Sequence, residues 1–170
     1  DRELAAAAEE LSKTGITGEG AQGVLKKLAA LSPQIVDAVT VDSTGKIVAV
    51  EPASYQYVVG ADIGGREYIK RLWEAKAPVI SSIFSVEGFP AIDLERPVFN
   101  DKRELVGSVS LLLKPEDFFS SFDVPEIGGQ KPEIMVTQQD GYILYDTDTS
   151  QIGRNVLTDP FYKDFPDLLP

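Results

Sequence analysis

The chain has 170 residues, 27 acidic and 16 basic side chains, a formal net charge of −11 and 43% hydrophobic residues. That is enough apolar material for one full domain, or one domain and part of a second, while the acidic balance excludes a nucleic-acid surface, which needs a dense basic stripe. Cysteine and histidine are both absent, which removes disulfides, thiolate metal sites and every Ser-His or Cys-His nucleophile pair.

No apolar run approaches the roughly 20 residues that cross a bilayer. The chain opens at Asp1 without a methionine and reads as an excised or processed segment, so flanking signal or anchor sequences are expected outside it. Residues 3 to 13, ELAAAAEELSK, predict a helix with Leu4, Ala7, Ala8 and Leu11 on one stripe. A second helix is expected from about Gly20 to Leu31, with Pro33 beyond its end. Val36 to Asp42 and Lys46 to Val50 are β-rich runs around Asp42-Ser43-Thr44-Gly45, where Gly45 supplies the positive φ that closes a hairpin. GREYIKRLWEAK, residues 65 to 76, reads as a short helix stopped by Ala77-Pro78. Strands are expected at Val79 to Val86, Pro90 to Val98 and Leu105 to Leu113, joined as a meander, and Lys114-Pro115-Glu116-Asp117 opens a further helix ending near Phe122.

Asp123 to Pro132 is linker-like. Beyond it, an earlier order returns. Glu133 to Gln138, the turn Gln139-Asp140-Gly141, the run Tyr142 to Tyr145 and Ile152-Gly153-Arg154 repeat the succession of strand, glycine turn, strand, loop and glycine seen from Val36 to Arg66. This second copy has no later three-strand meander before Pro160 to Leu169 and looks cut short.

Helices, a hairpin, a crossover helix and a meander make an α+β fold, an antiparallel five-stranded sheet of PAS-like form with helices on one side. At the residue level the chain resembles the Cache family of extracytoplasmic sensor domains, specifically the double Cache type. The likeness rests on Val39-Thr40-Val41-Asp42-Ser43-Thr44-Gly45-Lys46-Ile47-Val48, Gly60-Ala61-Asp62-Ile63-Gly64-Gly65-Arg66-Glu67-Tyr68, Val79-Ile80-Ser81, and Arg96-Pro97-Val98 followed by Leu105-Val106-Gly107-Ser108-Val109. It implies a long N-terminal helix that dimerises, a membrane-distal module over residues 1–122, and a linker with a partial membrane-proximal module over 123–170. It further implies the ligand-binding part of a histidine kinase or chemoreceptor on the periplasmic or extracellular side of the membrane. The alternative is a secreted or lipid-anchored solute-binding protein without a signalling role.

Arg66, Lys70, Arg71 and Lys76 crowd positive charge into one short helix of an acidic chain. By itself such a cluster reads as a solvated helix face; the resemblance is what turns Arg66 inward. There its fork, beside free helix N–H groups, would hold a carboxylate through two parallel hydrogen bonds, with Tyr68 adding a hydroxyl. Related amino-acid-binding modules carry tryptophan-tyrosine where this chain has Tyr68-Ile69, and an aspartate where it has Leu112. The expected ligand is therefore a small anionic metabolite, a carboxylate rather than an α-amino acid. Asp93 would restore a negative charge if it faced inward, although a solvent-facing strand position is its ordinary reading. Ser82 and Phe84 share a strand face, Trp73 lies seven residues from Arg66 on nearly the same helix face, and Tyr57, with Tyr55, is placed as a loop lid. Asp146-Thr147-Asp148-Thr149-Ser150 lacks the glycine and distal glutamate of a calcium loop. No metal, cofactor or catalytic role is expected.

Overall fold

The computed structural model describes residues 2–122 and 124–164. Helices α1 (Arg2–Thr14) and α2 (Gly18–Ala29) bury Leu4, Ala7, Ala8 and Leu11, and Ala21, Val24, Leu25 and Leu28, at the three- and four-residue steps of an amphipathic stripe. Strands β1 (Ile35–Asp42) and β2 (Ile47–Glu51) form a hairpin around Gly45, whose φ is +91°. A Cβ on Gly45 would lie 2.3 Å from Gly64 Cα, so the close approach of two backbones demands glycine there. A 3-10 segment, Ala53–Val58, leads to α3 (Glu67–Ala75). There follow β3 (Val79–Ile80), β4 (Phe84–Val86), β5 (Phe89–Phe99), β6 (Leu105–Leu113), α4 (Pro115–Ser120), β7 (Met135–Thr137) and β8 (Ile143–Asp146).

The chain divides into two compact units, one holding the residues up to Ser81 with Ile92–Leu113, the other holding Ser82–Ala91 and the residues from Lys114 onward. In the first unit the strand order is β2-β1-β6-β5-β3, antiparallel throughout. The α1 and α2 stripes pack on Ala38, Ala49, Val98, Val109 and Leu111. Period-two alternation sends their neighbours Val39, Val50, Asp93, Glu95, Ser108, Ser110 and Leu112 to the opposite face. Helix α3 covers that opposite face with Tyr68, Ile69 and Leu72 buried.

Two expectations need correction. Helices do not lie on one side only: α1 and α2 cover one face and α3 the other, because a short helix with its own apolar stripe needs a surface to bury it. The strand expected from Val79 to Val86 is broken at Ser81. Asp93 N–H donates to the Ser81 hydroxyl at 2.9 Å while Ser81 N–H donates to Asp93 O at 2.9 Å, so a side chain takes one rung of the ladder.

In the second unit β4 turns into β5 through Glu87 and Gly88, both left-handed at φ +51° and +85°, the mirror-image turn that suits the twist of a two-residue hairpin. Strands β7 and β8 pair around Gly141, and Met135, Ile143, Val156 and Tyr162 make a small core beneath them.

Candidate functional site

Arg66 is placed by the turn before it. Ile63 N–H donates to Gly45 O at 2.8 Å and Arg66 N–H to Ile63 O at 2.9 Å, which carries the chain from the hairpin directly to the N-cap of α3. The Arg66 side chain does not cap the helix. Its Nη1 donates to the Tyr68 hydroxyl at 3.0 Å, and that hydroxyl donates to Asp93 Oδ2 at 2.9 Å. Guanidinium, phenol and carboxylate thus form a chain running from the start of α3 down to β5.

Glu95 follows two residues later on the same face of β5, only 1% exposed, and accepts a hydrogen bond from the Ser108 hydroxyl of β6. Ser110 lies directly across from Glu95 in the ladder. The buried Ser110 hydroxyl lies within hydrogen-bonding reach of both the Asp93 and the Glu95 carboxyl groups, so the two acids share it. Leu112, where an acid was sought, pairs with Asp37 of β1 on one side and Asp93 of β5 on the other, and both of these are buried.

Burial lifts the Asp93 carboxyl to about 6, with the Tyr68 bond pulling it part of the way back. Burial and the neighbouring Asp93 charge hold Glu95 well above the usual carboxylate range. Burial and the same Asp93 charge raise the Tyr68 phenol, so it stays a neutral donor at physiological pH.

Of the residues singled out from the sequence, Arg66, Tyr68 and Asp93 come together, and Asp93 is buried instead of facing solvent. Trp73 is half-buried on α3. Lys70, Arg71 and Lys76 are exposed, with Arg71 held to Glu67 at 3.1 Å and to Ile80 O at 2.9 Å. Tyr57 is 66% exposed and stacks loosely on Tyr55, 6.0 Å between centroids. Ser82 and Phe84 belong to the second unit, where Ser82 donates to Asp140 at 3.1 Å and Phe84 pairs with Ala91. Sequence reasoning missed Glu95, Ser108 and Ser110 as site residues. Their signal was present as two alternating polar pairs, Asp93-x-Glu95 and Ser108-x-Ser110, on strands otherwise rich in apolar residues.

The model of the HK/GC/chemotaxis protein-like sensor domain matches residues 1–115. An extracellular ligand binding receptor from Desulfohalobium retbaense is similar at 45% identity and TM-score 0.82, over 92% of this chain and 29% of that one. The ligand-binding domain of the Pseudomonas aeruginosa amino acid chemoreceptor PctB, solved with L-Gln, is similar at 16% identity and TM-score 0.68, over 91% of this chain and 62% of that one. That of the Pseudomonas fluorescens chemoreceptor CtaA, solved with L-isoleucine, gives 14% identity and TM-score 0.66 over 91% and 62%. No curated protein sequence matches the chain. With well over half of its length matched by the family model, the chain belongs to the HK/GC/chemotaxis protein-like sensor-domain family.

Proposed function

We propose that the chain is the extracytoplasmic ligand-binding part of a transmembrane signal-transduction receptor of histidine kinase or chemoreceptor type, and that its first unit binds a small carboxylate through Arg66. The observation that carries this reading is the Arg66 guanidinium lying on the sheet side of the α3 N-terminus, within 3.0 Å of the Tyr68 hydroxyl. Positive charge and helix N–H groups converge there, and both favour an anion. The preference for a carboxylate without an amine weakens, because Asp93 and Asp37 flank Leu112 on the adjacent strands and supply the acid that the sequence pattern lacked. A ligand bearing both a carboxylate and an amine fits Arg66 at one end and Asp93 at the other. Such ligands are also those named for PctB and CtaA.

Trp73 lines the site from α3 in this reading, and Tyr57 closes over it from the loop. Ligand that bridges α3 and the sheet favours one arrangement of the two, and the shift passes to a homodimer through the N-terminal helix. Its role is recognition, with no bond made or broken. Thermal-shift measurement against L-amino acids, organic acids and amines tests it, since excess ligand raises the melting point by mass action. Arg66→Ala is expected to abolish the shift given by the best ligand; a full shift in that variant overturns the assignment of Arg66.

A further inference from the structure

A second concentration of positive charge lies on the other face of the sheet. Arg96 alternates with Glu95 along β5 and stands across from Val109 of β6, so its half-buried side chain projects to the face that α1 and α2 cover. There it lines a hollow of about 480 Å3 together with Lys13, from the last turn of α1, and Lys76, the C-cap of α3. The Arg96 Nε is shielded from solvent, which strengthens the field of the guanidinium. Pro97 and Phe99 add an apolar wall. Among the described residues Glu9 is the one acid lining this hollow, against three cations, in a chain where acids outnumber bases by 27 to 16.

Exposed cations elsewhere in the chain find carboxylates: Lys27 holds Glu10 at 2.8 Å, Arg71 holds Glu67 at 3.1 Å and Arg154 holds Asp159 at 2.9 Å. Among the described residues no acid comes within ion-pair distance of Lys13 or Lys76. That holds even though Glu9 stands four residues before Lys13, the spacing at which the two can pair on a helix. The helix dipole accounts for one cation at the end of α1 and one at the end of α3. It does not account for both meeting Arg96 in one hollow. Lys76 is moreover left-handed, φ +50°, at a C-cap where glycine is the ordinary residue, so a cation stands at this spot despite a conformational cost.

We propose that this hollow is a second binding site, for a small molecule with two negative charges on a short hydrocarbon body, of the dicarboxylate class. Two charges are what remains to be met once Glu9 offsets one of the three cations. The Arg96 fork takes one carboxylate, the two ammonium groups share the other, and the hydrocarbon between them lies against Pro97 and Phe99. The volume suits a ligand of that size. The inference stands apart from the assignment of Arg66, which lies at the other end of α3 and donates to Tyr68 over the opposite face of the sheet.

Titration calorimetry at pH 7.5 and low ionic strength with glutarate, acetate and inorganic phosphate tests this on the native chain and on Arg66→Ala, in which any binding through Arg66 is removed. Glutarate is expected to bind both proteins at one hollow per chain, at least about tenfold more tightly than acetate or phosphate. Added salt is expected to weaken it. Lys76→Gln changes an exposed side chain and is expected to fold and to weaken glutarate about fivefold; Arg96→Gln is expected to weaken it about tenfold. Loss of all glutarate binding in Arg66→Ala overturns the second site and leaves the Arg66 assignment standing. Glutarate binding to Arg66→Ala that Lys76→Gln does not weaken overturns the assignment to this hollow. Phosphate or acetate bound as tightly as glutarate overturns the dicarboxylate class. Sedimentation of the unliganded chain that shows self-association weakened by Lys76→Gln overturns the proposal in favour of carboxylates from a second copy.

Discussion

The hairpin of the first unit and that of the second are built on one plan. In the first, Ile47 N–H donates to Ala61 O, Gly60 N–H to Ile47 O and Ile63 N–H to Gly45 O; in the second, Ile143 N–H donates to Arg154 O, Gly153 N–H to Ile143 O and Val156 N–H to Gly141 O. The isolated bridges Lys46 to Asp62 and Tyr142 to Asn155 correspond, and so do the register shifts after Thr40 and Val136. Even the side-chain turns agree, with Asp62 accepting from Gly64 N–H and Asn155 from Leu157 N–H, each at 2.9 Å. The copies part at the next step. Where the first unit has Arg66, the second has Asp159, which accepts from Phe161 N–H at 2.9 Å and is held by Arg154 at 2.9 Å. Where Tyr68 carries its hydroxyl to Asp93, the second unit has Phe161, half exposed and with no hydroxyl to give. A common backbone scaffold thus carries a guanidinium–phenol–carboxylate chain in one copy and an arginine–aspartate pair in the other.

The scaffold itself should break first. Gly45→Ala puts a methyl against the Gly64 backbone at positive φ and is expected to cost about 3 kcal/mol, or about 10 °C of melting temperature. Gly141→Ala meets Leu157 and Asn155 side-chain atoms at 2.6 and 2.7 Å; the exposed Leu157 side chain can swing aside, and Asn155 must give while its Oδ1 holds Leu157 N–H. Its expected cost is smaller than that of Gly45→Ala, about 2 kcal/mol, read for both variants in parallel thermal melts. An equal loss for the two would break the distinction between a backbone and a side-chain neighbour.

The site residues come next. Tyr68→Phe, which gives the first unit the ring present at Phe161, removes the donor to Asp93 and is expected to cost about 2 kcal/mol at pH 7.5. The loss should be smaller at pH 5, where more of Asp93 is protonated. Phe161→Tyr should stay within about 0.5 kcal/mol. Denaturant titration of each variant at both pH values is the measurement.

The smallest effect is the pH slope of the unliganded protein. Asp93 is lifted from 3.8 to about 6 and Glu95 well above 4.5, so the folded state binds more protons than the unfolded chain across that window. Stability from the protonated pair is complete below the unfolded values and is lost as pH rises through 6 and beyond. The groups facing this pair are Arg66 at the N-cap of α3, Tyr68 from α3, and Ser108 and Ser110 from β6. Glu95→Gln is expected to flatten the slope, gaining about 1 kcal/mol at pH 7.5 relative to pH 5. Urea unfolding that finds the native chain more stable at pH 7.5 than at pH 5 would refute the buried, partly protonated pair.

The order of elements was legible because local rules set it. The Leu4 and Val24 stripes, the Gly45 turn and the proline after Ala77 each announce their structure within a few residues. So was the repeat, since glycines 45, 60, 141 and 153 punctuate both copies. Asp93 and Glu95 were hidden for a different reason. Alternation on β5 shows that they share a face, but only the long-range docking of α3 makes that face an interior. The break at Ser81 was equally unreadable, since a serine that replaces a backbone acceptor looks in sequence like any serine in a strand.

One further consequence lies in the contact between Gly45 and Gly64. Because two stretches of main chain touch there, and Arg66 comes just two residues later, the reach of the guanidinium is indexed by the hairpin. Bulk added at Gly64 would slide that index and, under the proposed role of Arg66, is expected to register as weakened affinity before it registers as unfolding. If Arg66 holds the ligand as proposed, its affinity is set partly by a main-chain contact that touches no ligand group.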